Sequence, residues 1–204
     1  MRFAYADPPY PGQSKRWYEN HPDYAGEVDH AELIGRLCRD YPDGWALSTS
    51  AAALREVLIL CPADVRIAIW HVTSRNLRGN GRWELNWEPV IIRGGRQEHG
   101  SAPIISSVLA CGALTGGCSN FENHSLPGQK PSAFCRWVFG LLGARHGDEV
   151  DDPFPGSGAV GREWDAYCAQ PWLPALSEPR RKERASRREQ RLAREGAPTL
   201  MDQD

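Results

Sequence analysis

The sequence predicts a single α/β domain with a mostly parallel central sheet. Segments with strand-like and helix-like hydrophobic patterns alternate along most of the chain, as expected for this fold class. The 204 residues, 41% of them hydrophobic, are enough for one domain with its own core. Near residue 150, a short strand leads through a glycine-spaced turn into a helical segment, which is typical of α/β proteins.

The first half of the chain predicts three strands and two helices. Asp29 is a good N-cap for the first helix, in which Leu33, Ile34 and Leu37 recur on one face. Ser50 has the same capping character for the second helix. The predicted order is a strand over 3–6, a helix over 30–39, a strand over 44–49, a helix over 51–61 and a strand over 65–70.

The second half predicts two strands and two helices. A strand over 88–93 is followed by a long segment, 93–129, that is rich in Gly and Ser and is treated as a loop. Pro131 suits the first turn of a helix in which four apolar residues recur at helical spacing: Phe134, Trp137, Val138 and Leu141. A strand ending at Asp151 then precedes a helix that runs through Tyr167.

The segment Asp7-Pro8-Pro9-Tyr10 is the most informative functional feature. Two prolines stiffen the backbone where the first strand ends, so Asp7 and the carbonyl of Pro8 are held in one conformation. An acid and a fixed carbonyl can accept both hydrogens of an exocyclic amine, and Tyr10 can stack on the base that carries it. On its own, the segment is equally compatible with an ordinary corner between a strand and a loop.

A second signal lies between Asp152 and Gly158, where an acid is followed by a turn with spaced glycines. Glycines allow the backbone to approach a ligand closely, and the free N–H groups at the start of the next helix favour an anion. The spacing is not that of a phosphate-binding P-loop or of the full dinucleotide motif. By itself this pattern also fits a purely structural turn.

Together these segments resemble the S-adenosylmethionine (SAM)-dependent amino-methyltransferases of DNA, in the permuted order that places the catalytic motif before the cofactor loop. The family's Asp-Pro-Pro-Tyr motif matches residues 7–10, and its Asp-Pro-Phe-x-Gly-Ser-Gly loop matches residues 152–158. Gln129-Lys130-Pro131 resembles a third segment, which lines the methionine end of the cofactor. Trp87-Glu88-Pro89 resembles the start of a family strand. The resemblance covers most of residues 1 to about 168.

The resemblance implies a Rossmann-like methyltransferase fold that uses SAM to methylate adenine N6 in duplex DNA, with the target base flipped out. Asp at the first motif position points to adenine, whereas Ser is more usual in enzymes that act on cytosine N4. The implied catalytic residues are Asp7, Pro8, Pro9 and Tyr10. The implied cofactor-binding residues are Asp7, Lys130, Pro131, Asp152, Phe154, Gly156, Ser157 and Gly158.

One departure from the family concerns the ribose of the cofactor. The family normally continues into a second strand ending in an acid that holds the ribose hydroxyls. Here the sequence continues as Cys168-Ala169-Gln170-Pro171-Trp172-Leu173-Pro174, whose prolines do not suit a central strand. Another residue would then bind the ribose, or the cofactor would be held mainly at its methionine end, or it would be bound poorly.

Contacts with nucleic acid are expected in the loops and in the tail. The net charge of −2 gives no overall attraction to DNA, so a local basic surface is needed. We expect a methyltransferase domain over 1–176 and a charged helical or disordered tail over 177–204, in which arginines outnumber glutamates. The candidate nucleic-acid contacts in the loops are Lys15, Arg16, Trp17, Tyr18, Arg75, Arg78 and Arg82. The other interpretation is that these residues only keep the loops soluble.

The remaining features predict a cytoplasmic protein without a metal site. No apolar run is long enough to cross a bilayer, and no charged-then-apolar secretory start is present. The six cysteines lack Cys-x-x-Cys spacing and are expected to be reduced and mostly structural. Two other functions stay open: a binding protein of the same fold that has lost catalysis, and a methyltransferase acting on RNA, a nucleotide or another amine, including cytosine N4.

Overall fold

A computed structural model of the chain describes residues 1–12, 19, 26–73, 86–97, 104–112 and 130–170. Within these residues, six strands and four helices are formed. The strands are Arg2–Ala6 (β1), Gly44–Ser48 (β2), Arg66–Val72 (β3), Trp87–Gly94 (β4), Val108–Cys111 (β5) and Glu149–Asp151 (β6). The helices are His30–Asp40 (α1), Leu54–Leu60 (α2), Ser132–Leu142 (α3) and Ala159–Ala169 (α4).

All six strands form one sheet in the order β5-β3-β4-β2-β1-β6. Strand β4 is antiparallel to both β2 and β3, and the other pairs are parallel. The predicted α/β fold with a mostly parallel sheet is therefore confirmed. Strand β5 lies inside the segment that the sequence analysis treats as a loop. It is a four-residue edge strand whose only ladder in the described residues is with β3.

The two faces of the sheet carry separate hydrophobic cores. Phe3 and Tyr5 of β1 point to the face covered by α3 and α4, whereas Ala4 and Ala6 point to the face covered by α1 and α2. This division follows from the two-residue period of a strand. All four side chains are at most 1% exposed. Strand β1 therefore lies in the centre of a three-layer structure, which holds the residue after it, Asp7, in a fixed position.

Local capping explains one helix start well and another only in part. The carboxylate of Asp29 accepts hydrogen bonds from the backbone N–H groups of Ala31 and Glu32 at 2.9 and 3.0 Å, so α1 begins as predicted. Ser50 Oγ accepts a bond from Ala53 N at 3.1 Å, but residues 51–53 form a turn and α2 begins only at Leu54. The predicted start at residue 51 was therefore three residues early.

The topology brings the carboxyl ends of β1, β2 and β6 and the amino end of β4 to the same edge of the sheet. Because β1, β2 and β6 are parallel, their carboxyl ends lie on the same side. Strand β4 runs the other way, so its amino end reaches that side too.

None of the helices in the described parts of the chain is long and apolar enough to cross a membrane. The predicted boundary at residue 176 falls in the segment 171–204, which lies outside the described residues.

Candidate active site

Asp7 follows β1 directly and forms an ion pair with Lys130. The Lys130 ammonium lies 3.1 Å from Asp7 Oδ1, and the Asp7 side chain is 23% exposed. Pro8, the next residue, is buried, and Pro9 is half-buried. Lys130 immediately precedes Pro131, the N-cap residue of α3. The segment that the sequence analysis assigns to the cofactor therefore also contacts the proposed catalytic acid.

Lys130 is nearly buried, and a second carboxylate and two aromatic rings surround it. Its side chain is 8% exposed, and its ammonium lies 3.4 Å from Glu88 Oε2. The ammonium also lies 5.5 Å from the ring centroids of both Trp70 and Phe134. Aromatic faces attract a cation electrostatically, which adds to the attraction of the two carboxylates. The ammonium therefore stays charged and is fixed in place.

Tyr10 is tied to the same group of charges. Its hydroxyl donates a hydrogen bond of 3.0 Å to Glu88 Oε2, so one carboxylate oxygen accepts from Tyr10 and pairs with Lys130. Beneath this layer, the hydroxyl groups of Tyr5 and Ser48 lie 2.8 Å apart and are buried. Asp7, Tyr10, Glu88 and Lys130 thus form one connected polar cluster at the edge of the sheet.

The charges in this cluster shift one another's pKa values. Burial raises the pKa of Asp7, Lys130 lowers it and Glu88 raises it, with a net rise. Burial alone would lower the pKa of Lys130, but the surrounding acidic groups outweigh it, and the pKa lies well above its usual range. With both carboxylates ionised and the lysine protonated, the cluster carries one net negative charge. Such a site favours a cationic ligand or a developing positive charge.

The glycine-spaced turn leaves β6 beside this cluster. Strands β1 and β6 are paired in parallel register, with Ala4 opposite Asp151, so Asp7 and Asp152 emerge at the same edge of the sheet. The backbone of Gly156 has φ 47°, and that of Gly158, the N-cap residue of α4, has φ 69°. These left-handed conformations favour glycine.

Asp152 is held in an unfavourable environment for a charge. Its carboxylate accepts a hydrogen bond of 3.1 Å from the backbone N–H of Phe154. Burial raises the pKa of Asp152 to about 6; the hydrogen bond from Phe154 opposes this rise, and the charge of Asp7 adds to it. Ser157 lies in the same turn, where its carbonyl accepts a bond of 2.7 Å from Arg162. A carboxyl group with a raised pKa is a candidate functional residue.

The structure brings together the residues from the two motifs but does not describe the predicted DNA contacts. Lys130 and Pro131 lie beside the corner formed by residues 7–10, and the turn over 152–158 follows the neighbouring strand. The candidate DNA contacts lie outside the described residues; they are Lys15, Arg16, Trp17, Tyr18, Arg75, Arg78 and Arg82. They remain predictions, as does the assignment of roles to the motif residues.

No site role was predicted for Glu88, Trp70 or Phe134. Glu88 was predicted only as part of a strand, and Phe134 only as one of the apolar residues of a helix. Phe134 is indeed fully buried, but its ring also faces the Lys130 ammonium. The available signal for Glu88 was a charged residue at the start of a strand whose central residues are apolar. Its partners, Tyr10 and Lys130, are far away in sequence, so the signal did not identify them.

Comparisons with known proteins show the fold. No profile of a known protein family matches the chain, and no curated protein matches it either. Among solved structures, the chain is similar to the crystal structure of the M1.HpyAVI–SAM complex, with a TM-score of 0.50 and 17% sequence identity. The match covers 82% of this chain and 78% of the other. At this identity the similarity shows a shared α/β fold, and function must be argued from the site.

Proposed function

We propose that the chain transfers a methyl group from SAM to the exocyclic N6 amine of adenine in DNA. The observation that supports this most strongly is the position of the two motif segments relative to the sheet. The Asp7 corner and the turn over 152–158 leave adjacent parallel strands at the same edge of the sheet. In open α/β sheets, ligands bind outside the carboxyl ends of the strands. That the similar solved structure is a SAM complex agrees with this choice of cofactor.

The residues present fit a cofactor with this chemistry. SAM carries a positive sulfonium and a positive ammonium, and the edge of the sheet presents the carboxylates of Asp7, Glu88 and Asp152. A carboxylate whose pKa is raised by burial, as in Asp152, gains more from a cationic ligand than a well-hydrated one would. The residues that would hold the cofactor are Asp7, Lys130, Pro131, Asp152, Phe154, Gly156, Ser157 and Gly158.

When bound, SAM supplies a methyl group on a sulfur that already carries a positive charge. The residues of the chain then have to orient the amine and stabilise the charge that develops on its nitrogen. The Asp7 carboxylate and the Pro8 carbonyl can accept the two amine hydrogens. Tyr10 stacks on the base. No covalent intermediate with the protein is needed.

The choice of adenine in DNA rests on the resemblance of residues 7–10 to the adenine-N6 type of the family. A flipped base is implied because an amine paired inside a duplex cannot reach a corner at the edge of the sheet. Other planar amines would satisfy the same two acceptors, so RNA, a free nucleotide and cytosine N4 are the alternatives. A binding protein without catalysis is the other class that the experiment must separate.

The test is methyl transfer from labelled SAM to duplex DNA, RNA and free adenosine, followed by mass analysis of the nucleosides. We expect N6-methyladenine in DNA with the wild-type protein and at least a hundredfold loss with Asp7→Asn, which removes the negative charge but keeps the shape. Asp64→Asn is the control, because Asp64 forms an exposed pair with Arg93. Product only in RNA or at cytosine would replace the proposed substrate.

Binding and catalysis are separated by calorimetric titration with SAM. Heat of binding without product on any of the three substrates supports the binding protein and rejects the enzyme. Full activity of Asp7→Asn rejects the assigned role of Asp7 even if methylation itself is observed.

A further inference from the structure

Glu88 is the one carboxylate in the described residues that contacts both Tyr10 and Lys130. It accepts a hydrogen bond from the Tyr10 hydroxyl at 3.0 Å and lies 3.4 Å from the Lys130 ammonium. Its backbone is fixed by the antiparallel ladder between β3 and β4, in which Trp70 is the partner of Glu88. Its side chain is 16% exposed. Glu88 is therefore a rigidly placed acid that connects the stacking residue to the buried lysine.

The Lys130 ammonium competes with an amine substrate for Asp7. In the structure it is 3.1 Å from Asp7 Oδ1, which is an oxygen that an amine would also use. A nearly buried ammonium that lost its carboxylate partner would be strongly destabilised. Glu88 Oε2 lies only 3.4 Å from the same nitrogen, so the ammonium can shift toward Glu88 without losing its ion pair. Glu88 therefore makes Asp7 available to an amine at a small cost in free energy.

We propose that Glu88 is a positioning residue for the transfer reaction. It orients the Tyr10 ring, and it becomes the ion-pair partner of the Lys130 ammonium when an amine binds to Asp7. This proposal rests on the proposed function. It adds a residue to the site and explains why a lysine is tolerated where positive charge develops.

The charge balance of the reaction supports this role. The amine nitrogen forms a bond to the methyl carbon while the carbon–sulfur bond breaks, and the electron pair of that bond stays on sulfur. The nitrogen is then positively charged until it releases a proton to Asp7 or to water. With Glu88 ionised, the cluster has two negative charges and one positive charge, which favours this cation. With a neutral residue at position 88 the cluster would carry no net charge and lose this stabilisation.

The first test compares Glu88→Gln with Glu163→Gln. Glu163 is the matched control because its side chain is 14% exposed and it pairs with Arg136 between α3 and α4. We expect Glu88→Gln to lower kcat about tenfold or more, while the KM for DNA changes less than threefold and the protein remains folded by circular dichroism. The control should keep kcat within twofold. A folded Glu88→Gln variant with kcat within twofold of wild type overturns the proposal.

The pH profile gives a readout that a merely structural role would not move. Glu88 contributes to the raised pKa of Asp7. Removing its charge should therefore shift the acidic limb of kcat to lower pH, even though the plateau is lower. Tyr10→Phe removes only the bond from the hydroxyl, so it should cost less than Glu88→Gln. If Tyr10→Phe, Glu88→Gln and the double variant all lose the same activity, Glu88 acts through Tyr10 alone and the Lys130 part is wrong.

A measurement without substrate separates this proposal from the proposed function. The chain has three lysines, Lys15, Lys130 and Lys182, so ¹⁵N-labelled side-chain ammonium signals are few and can be assigned by single Lys→Arg substitutions. We expect the Lys130 ammonium hydrogens to exchange with water at least fivefold faster in Glu88→Gln than in wild type. Unchanged exchange overturns the shared ion pair, whether or not the wild-type protein methylates DNA. If exchange is faster in Glu88→Gln but the wild-type protein methylates none of the substrates, the contact between Glu88 and Lys130 is confirmed and the proposed function is rejected.

Discussion

Replacing Asp152 with asparagine should make the folded protein more stable at neutral pH. Burial raises the pKa of this carboxyl to about 6 in the folded protein, from 3.8 for the unperturbed group. Between these two values the folded state binds more protons than the unfolded state, so stability falls as the pH rises. Above pH 6 the folded protein bears the full cost of a poorly solvated charge. Asparagine has no such charge, and its carbonyl can still accept the bond from Phe154.

The size of the effect follows from the pKa difference. A shift of about two pH units corresponds to about 3 kcal/mol. Asp152 is only partly buried, and solvent screening reduces this value, so we expect a gain of about 1.5 kcal/mol for Asp152→Asn. In a chain of this size, that gain raises the melting temperature by about 3 to 6 °C.

Thermal unfolding of the two proteins at pH 4 and pH 8 measures this effect. The difference should be close to zero at pH 4, where the carboxyl is largely protonated in the folded protein, and should reach its full size at pH 8. Asp165→Asn is a control at an exposed position of α4 and should not raise the melting temperature at pH 8. An equal gain at both pH values would mean that charge is not the cause, and no gain at pH 8 would refute the argument.

The same variant links stability to the proposed ligand. If Asp152 helps to hold a cationic cofactor, Asp152→Asn should bind SAM at least tenfold more weakly in calorimetric titration while it unfolds at a higher temperature. A gain in stability together with a loss of affinity is the expected result when a site keeps a costly charge for binding. Unchanged affinity would remove Asp152 from the proposed cofactor site.

Three further predictions concern the fold. Burial alone would raise the pKa of Asp148, but bonds from Arg96, the amino terminus and the Arg145 backbone lower it to about 2. Asp148→Asn should therefore cost about 2 kcal/mol at pH 7 in urea unfolding, and the difference should shrink as the pH falls from 4 toward 2; a constant difference would contradict this. Gly94→Ala should cost at least about 2 kcal/mol, because a Cβ would lie 2.8 Å from the Asp43 carbonyl and φ is +67°; an unchanged urea midpoint would contradict this. Phe139→Ala should cost about 3 to 4 kcal/mol, because the ring is fully buried in the core below α3; thermal unfolding within 3 °C of wild type would contradict that estimate.

The elements that the sequence predicted well are those specified by local features. Asp29 caps α1 by accepting from the backbone N–H groups of Ala31 and Glu32, and strand β1 is a short apolar run, as a strand buried on both faces requires. Strand β5 was not predicted, because four residues at a sheet edge are specified by pairing with a distant strand, here Ile69 with Val108. The direction of β4 was also not predicted, since a strand pattern does not reveal which way the strand runs. Both features are set by tertiary structure.

The site shows the same division between local and distant information. Asp7 and Asp152 were identified from motifs, because backbone stiffness and glycine spacing can be read within a few residues. The contacts of Lys130 with Glu88 and Trp70 were not identified, because these residues are separated by 42 and 60 positions. A buried lysine needs acids and aromatic faces nearby, but the sequence does not show which ones the fold supplies.

The net negative charge of the cluster constrains how a nucleic acid would be bound. Phosphate groups are repelled by a corner with two carboxylates and one ammonium, and at physiological ionic strength this repulsion acts over about 8 Å. If the substrate is DNA, the backbone must be held farther away by basic residues elsewhere in the chain, while a base without charge enters the corner. Flipping one base out of the duplex satisfies both requirements. The separation of charge therefore favours a site that takes a single flipped base over one that binds a whole nucleotide with its phosphate.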